Sequence, residues 1–215
     1  MKYTVIAKED SVIPDKVSKY GDYKPYLRRE AKEKCVYCAI HENPIGGSDH
    51  FHVEHYRPKS LKQFAKLIKD YNNLFYACAI CNRFKSNDWP NDPSDDHSVI
   101  SYPDPNQIDY NDLFEIEENG LISGKYVASK YVIEKVFLNR PQLINERREN
   151  FIRETYINEA NRMKALSEQL LTKKDNPKTA ELLVAVNKKI IEISNLLNED
   201  KKISRYEPRE IKRNK

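Results

Sequence analysis

The apolar positions along the chain fall into three regimes. In the C-terminal third they recur at helical spacing: Leu143, Ile144, Phe151, Ile152, Tyr156, Ala160, Met163 and Leu170 mark one stripe running from Pro141 to about Lys174. Leu183, Val186, Ile190, Ile193 and Leu197 mark a second at intervals of three and four, after a break at Asp175-Asn176-Pro177. This pattern predicts two long helices folded into an antiparallel hairpin. Before them, Leu113 to Ser123 has the short strands and central Asn119-Gly120 of a β-hairpin, and a helix is expected from about Ser129 to Leu138. In the first hundred residues the periods are short and interrupted by Pro and Gly. They predict a helix over Tyr23 to Lys34 with Asp22 as N-cap, a strand from Phe51 to Tyr56 stopped by Pro58, and a helix over Lys59 to Lys69. A returning strand over Leu74 to Ala77 and a short helix from Asn82 to about Asn87 come next. From Trp89 to Pro105 there is no period, so this stretch reads as an ordered wrap over the core or a linker.

Composition changes this picture little. With 215 residues, 39% hydrophobic and 33% charged, the chain fits a folded, helix-rich α+β protein and not wholesale disorder. The expected division is residues 1–100 as a core with an N-terminal helix, and residues 101–215 as a β-hairpin with a helical docking region. No apolar run is long enough for a signal peptide or a bilayer span, so no membrane partner is expected and the cytoplasm is the expected location. A net charge of +4 allows nucleic acid as a partner without requiring it. The tail is more telling: Lys201, Lys202, Arg205, Arg209, Lys212, Arg213 and Lys215 face only Glu207 and Glu210.

Cysteine usage changes the picture a great deal. All four cysteines fall in two Cys-x-x-Cys units, Cys35/Cys38 and Cys78/Cys81. In a reducing compartment such pairs favour metal over disulfide, and four thiolates close a tetrahedral structural zinc site with no open position. Between the knuckles lie His52, Glu54, His55, Asn72 and Asn73, and Asn82 comes directly after the last cysteine. A plain four-cysteine module needs only about 15–20 residues in that interval. Here it is about twice as long and carries a carboxylate, imidazoles and amides suited to a second, harder cation and a water nucleophile.

Cys35-x-x-Cys38, Val53-Glu54-His55-Tyr-Arg-Pro-Lys, Asn73-Leu74 and Cys78-x-x-Cys81-Asn82-x-x-Lys85 together resemble the HNH, or His-Me finger, endonucleases. The resemblance implies a zinc-stapled ββα-metal core in which His55 is the general base and Asn73 locks the loop that presents it. Glu54 and Asn82 then match the ligands of a catalytic Mg²⁺ or Mn²⁺. Glu stands where many members have Asp, and Asn where the family name has His, which moves the preferred ion toward oxygen donors. Glu54 and His55 are adjacent, so both enter one site only if their strand bends, and Pro58 makes a bend reasonable. His52, on the parity of Glu54, is a candidate for substrate or metal contact. Lys59, Arg83 and Lys85 are candidates for phosphate contact beside the motif.

The wording of these motifs and a Leu138-Asn139-Arg140-Pro141 segment resemble more narrowly the PtuB nucleases of Septu anti-phage systems. The nuclease reading takes DNA as the leading substrate, with double-stranded DNA, single-stranded DNA and RNA not separated by the sequence, and the narrower likeness implies a defence role and a PtuA-type ATPase as partner. Two other readings stay open: a zinc module that only binds nucleic acid or protein, and a nuclease subunit silent until its partner arrives.

Overall fold

The computed structural model describes residues 2–8, 17–172 and 176–203, with side chains described through residue 198. Asp175, expected to break the long helices, lies outside the described residues, as do Arg205 to Lys215 and the side chains of Lys201 and Lys202. The fold is helix-rich α+β with two small antiparallel sheets. Two compact units divide it, one running to Arg147 and one beginning at Arg148. The boundary thus falls after Arg147 and not near residue 100. Tyr102, Tyr110, Phe114, Ile122, Val132 and Leu143 share one apolar core with the cysteine-bearing segment.

That core is built largely on tyrosine, of which the chain has 14. A buried ring supplies area, but its hydroxyl must find a partner. Tyr3 donates to the Tyr37 carbonyl, Tyr56 to the Tyr102 carbonyl, Tyr110 to the Pro103 carbonyl, Tyr76 to Glu42 and Tyr102 to Asp88. The expected wrap is ordered by this means. Tyr102 is fully buried, and Trp89 packs edge-on against Tyr56 and Phe64.

Strand β1 (Phe51–His55) pairs antiparallel with β2 (Leu74–Cys78), His55 opposite Leu74 and Phe51 opposite Cys78. β2 is buried along its whole length, whereas β1 exposes His52. Two helices differ from expectation. Helix α1 spans only Lys24–Glu30, because Tyr20–Tyr23 forms a 3-10 turn in which the Asp22 carboxylate accepts from the Lys19 amide instead of capping α1. Lys32 and Glu33 then adopt left-handed φ values and turn the chain into the first knuckle. Helix α2 spans Ala79–Lys85, three residues earlier than its pattern suggests, because the Cys78 sulfur accepts from the Cys81 amide and caps it.

The expected helix over Lys59 to Lys69 is a 3-10 helix over Lys62–Leu67. Leu61, Phe64 and Leu67 recur every third residue and turn inward together, and a repeat of three suits a three-residue turn. Helix α3 (Tyr110–Leu113) leads into the hairpin β3 (Phe114–Ile116) and β4 (Ile122–Gly124). At its tip Gly120 takes φ 86°. Helix α4 (Val127–Lys135) packs so closely on β4 that a Cβ on Gly124 would lie 2.6 Å from the Lys130 nitrogen. Buried Arg147 closes this unit, donating to the Gly120 and Leu138 carbonyls.

Helices α5 (Pro141–Leu171) and α6 (Pro177–Ile203) make up most of what remains. In the unit from Arg148, Ala160, Val186 and Ile193 are buried, and Ser167 donates to the Asn187 side-chain oxygen at 2.9 Å. Among the described residues no helix is long and apolar enough to cross a membrane.

Candidate metal centre and active site

Cys35 and Cys38 come from the knuckle after α1, Cys78 from the end of β2 and Cys81 from the first turn of α2. The knuckle closes through Cys35 N donating to Ile40 O and Ala39 N donating to Cys35 O, with Ala39 left-handed at φ 56°. All four sulfurs are buried and lie within 4.8 Å of one another, Cys38 and Cys78 at 3.9 Å. Zn–S bonds of about 2.3 Å at tetrahedral angles put sulfurs roughly 3.8 Å apart, so the set fits zinc. Burial and the neighbouring thiols push the Cys35 thiol up, while hydrogen bonds from the same neighbours push the Cys78 thiol down, and a resident cation would let all four ionise together.

The guanidinium of Arg140 sits over this cluster, 3.6 Å from the Cys81 sulfur and 3.7 Å from that of Cys38. Burial alone would lower its pKa, but the Cys81 and Cys38 sulfurs more than reverse that. Four thiolates around a zinc ion would leave two negative charges, and Arg140 would offset part of them. In the sequence Arg140 stands out only as a member of the Leu138–Pro141 segment, with nothing to mark a role at the zinc cluster.

The second site lies along a cleft of about 700 Å³ whose walls include Tyr20, Lys24, His52, Glu54, His55, Lys59 and Asn82. His55, at the end of β1, is buried, with Nε2 3.0 Å from the Ile68 carbonyl and Tyr20 edge-on at 4.7 Å. A carbonyl only accepts, so Nε2 carries the proton in neutral imidazole and Nδ1 is the basic nitrogen. Burial lowers the pKa of His55 from its ordinary 6.5, and Lys59 and Lys85 push the same way, so the ring is neutral at pH 7. The Ile68 carbonyl is available because the 3-10 helix ends just before it.

Asn73 clamps the chain just beyond His55. Its Oδ1 accepts from the Arg57 amide at 2.8 Å, while its Nδ2 donates to the carbonyls of Arg57 and Leu67. Its own carbonyl accepts from Tyr56 N, extending the β1–β2 ladder past His55. These bonds hold the turn after β1 where the strand leaves its partner, and Glu54 and His55 both line the cleft despite their opposite parity.

Glu54 is 3% exposed. Its Oε1 meets the Lys85 ammonium at 2.8 Å and the Tyr37 hydroxyl at 3.4 Å, while no described residue bonds Oε2. Burial raises its pKa, opposed by Lys85. Asn82, one residue past Cys81, lines the same cleft and carries a neutral amide. Two oxygen donors fit a magnesium-type ion, which takes one or two protein oxygens and completes its shell with water and phosphate.

The remaining expected contacts separate. His52 and Lys59 line the cleft, with Lys59 donating to the Tyr20 hydroxyl. Arg83 is exposed on α2 and does not line it. Lys85 is corrected outright: it is fully buried, bonded to Glu54 and the His55 carbonyl, and in no position to meet a phosphate. Lys24 and Tyr20 are unexpected at the site, and nothing in their local sequence marks them.

No curated protein and no solved structure matches the chain. Residues 35–88, which include the four cysteines, Glu54, His55, Asn73 and Asn82, match the family model described as HNH endonuclease.

Proposed function

We propose that the chain is a metal-dependent endonuclease that hydrolyses phosphodiester bonds in DNA. His55 Nδ1 takes a proton from the attacking water, with the Ile68 carbonyl fixing the tautomer. Asn73 keeps the base-bearing turn rigid, and Glu54 with Asn82 would hold Mg²⁺ or Mn²⁺. The ion would act as a Lewis acid on the phosphoryl oxygens and the leaving 3′ oxygen. Lys59, with His52 beside it, would place the phosphate backbone without reading sequence. The observation that carries this reading is a neutral, oriented imidazole sharing one cleft with a buried carboxylate and an amide oxygen.

The test is incubation of the protein with supercoiled plasmid in Mg²⁺, Mn²⁺ or EDTA, with single-stranded DNA and RNA in parallel. Nicking or linearisation in Mg²⁺ or Mn²⁺, abolished by EDTA, is expected. Intact plasmid in every metal contradicts the DNA assignment.

The anti-phage role and the PtuA-type ATPase partner rest on sequence resemblance, supported by apolar residues left outside on the helical unit. Val184 is 69% exposed and Ile191 60%, two turns apart on α6. We read α5 and α6 as an antiparallel hairpin, supported by the Ser167–Asn187 bond, that presents these residues to the ATPase. Val184→Asp with Ile191→Asp is expected to abolish co-purification with that ATPase. Unchanged association counts against this docking surface.

A further inference from the structure

Lys85 is a strange residue to find fully buried in a chain with 37 lysines and arginines. It reaches Glu54 from the protein interior. Its ammonium bonds the carboxylate at 2.8 Å and the His55 carbonyl at 3.0 Å, and lies 5.3 Å from the Tyr102 ring. The cleft approaches Glu54 from another direction, because Lys85 is absent from its walls while Glu54 and Asn82 belong to them. An ion entering the cleft would therefore add to the ammonium and not displace it. Lys85 is also held from outside the site. It lies one helical turn beyond Cys81 on α2, so the zinc cluster that anchors the helix also fixes this charge.

The charge balance around Glu54 is unfavourable to a cation. Among the described residues Glu54 is the only carboxylate on the cleft walls, and Lys85 neutralises it. Lys24 and Lys59 add further positive charge on the walls. A divalent ion would enter a region with no net negative charge, holding one neutral amide and half of a shared carboxylate. At a few ångströms, like charges in a partly buried site repel strongly. A phosphodiester brings the missing negative charge and two more oxygen ligands.

Resting on the nuclease reading above, we propose that Lys85 is a positioning residue that makes cation binding depend on the nucleic acid. It pairs with Glu54 Oε1 from the interior, and it denies the carboxylate–amide pair enough charge to keep a divalent ion before a phosphate arrives. By linkage, the nucleic acid and the ion then strengthen each other's binding by the same factor.

The experiment measures Mn²⁺ affinity by electron paramagnetic resonance on zinc-loaded protein. A His55→Ala background prevents turnover, and a short DNA duplex is either present or absent. The inference predicts weak Mn²⁺ binding alone and binding about tenfold or more tighter with DNA. Lys85→Gln keeps a donor toward Glu54 and removes the charge, so it is expected to tighten Mn²⁺ binding without DNA by about tenfold or more. A merely structural lysine would leave that affinity unchanged or weaken it on loss, and either result overturns the inference. Should the Gln protein fail to fold, judged by zinc content, the parent decides: Mn²⁺ bound as tightly without DNA as with it overturns the inference. Glu54→Gln separates this failure from failure of the underlying reading. If DNA tightens Mn²⁺ binding to Glu54→Gln as much as to the parent, the ion is not on Glu54, and the metal assignment falls together with the inference.

Discussion

The two compact units treat polar and apolar side chains in opposite ways. Up to Arg147, Glu42, Glu54, His55, Asn73, Lys85 and Arg147 are buried, and each has a specific partner. From Arg148 onward the polar burial described is Ser167, while Phe151, Ile152, Val184 and Ile191 stand out in solvent. Buried polar groups cost much when a partner is lost, whereas exposed apolar groups cost little when changed. The first unit is accordingly a device of fixed geometry, sensitive at many points. The second is tolerant one residue at a time.

Substitutions in the two units test this contrast. The largest effect is expected at the zinc cluster. Structural zinc contributes on the order of 10 kcal/mol, comparable to the whole stability of a domain. Cys78→Ser should therefore abolish zinc retention and the tyrosine near-ultraviolet signal of the first unit, and a folded, zinc-free protein would break the account. Next comes Lys85→Ala, which strands a buried carboxylate and should cost about 3–5 kcal/mol, read as a large fall in Tm. Asn73→Ala removes the clamp on Arg57 and should cost about 2 kcal/mol, with cleavage reduced although zinc remains.

Smaller again is an acid effect at Asp88. Burial would raise its pKa, but donors from Tyr131 and Tyr102 hold it below the ordinary 3.8. A depressed folded-state pKa gives stability that is present above 3.8 and lost as pH falls through the folded value. Asp88→Asn should flatten the loss of Tm below that pH, and an unchanged acid profile would discount these bonds. At the bottom stands Val184→Ser, expected to change stability by no more than about 0.5 kcal/mol. A loss equal to that of Asn73→Ala would erase the contrast between the units.

Legibility in the sequence tracks how local each cause is. The knuckles, Glu54, His55, Asn73 and Asn82 are short words whose neighbours set their geometry. The long helices announce themselves by period. Lys85 is deceptive because an isolated lysine is by default a surface charge, and its burial is decided by Glu54 on another element. Arg140 and Arg147 escape for the same reason, since their partners lie up to 102 residues away in the chain. The 3-10 helix at Lys62–Leu67 reads as α because its apolar positions are too few to separate a repeat of three from one of 3.6. Its true form is what delivers the Ile68 carbonyl to His55.

Whether His55 activates water in this cleft is read from the single-turnover cleavage rate of His55→Ala beside the parent. Both proteins are loaded with zinc and supplied with saturating Mg²⁺ and plasmid. The His55→Ala rate is expected to be at least about a hundredfold lower, with zinc content and fold retained. A folded, zinc-loaded His55→Ala protein that cuts at the parent rate would contradict that role for His55.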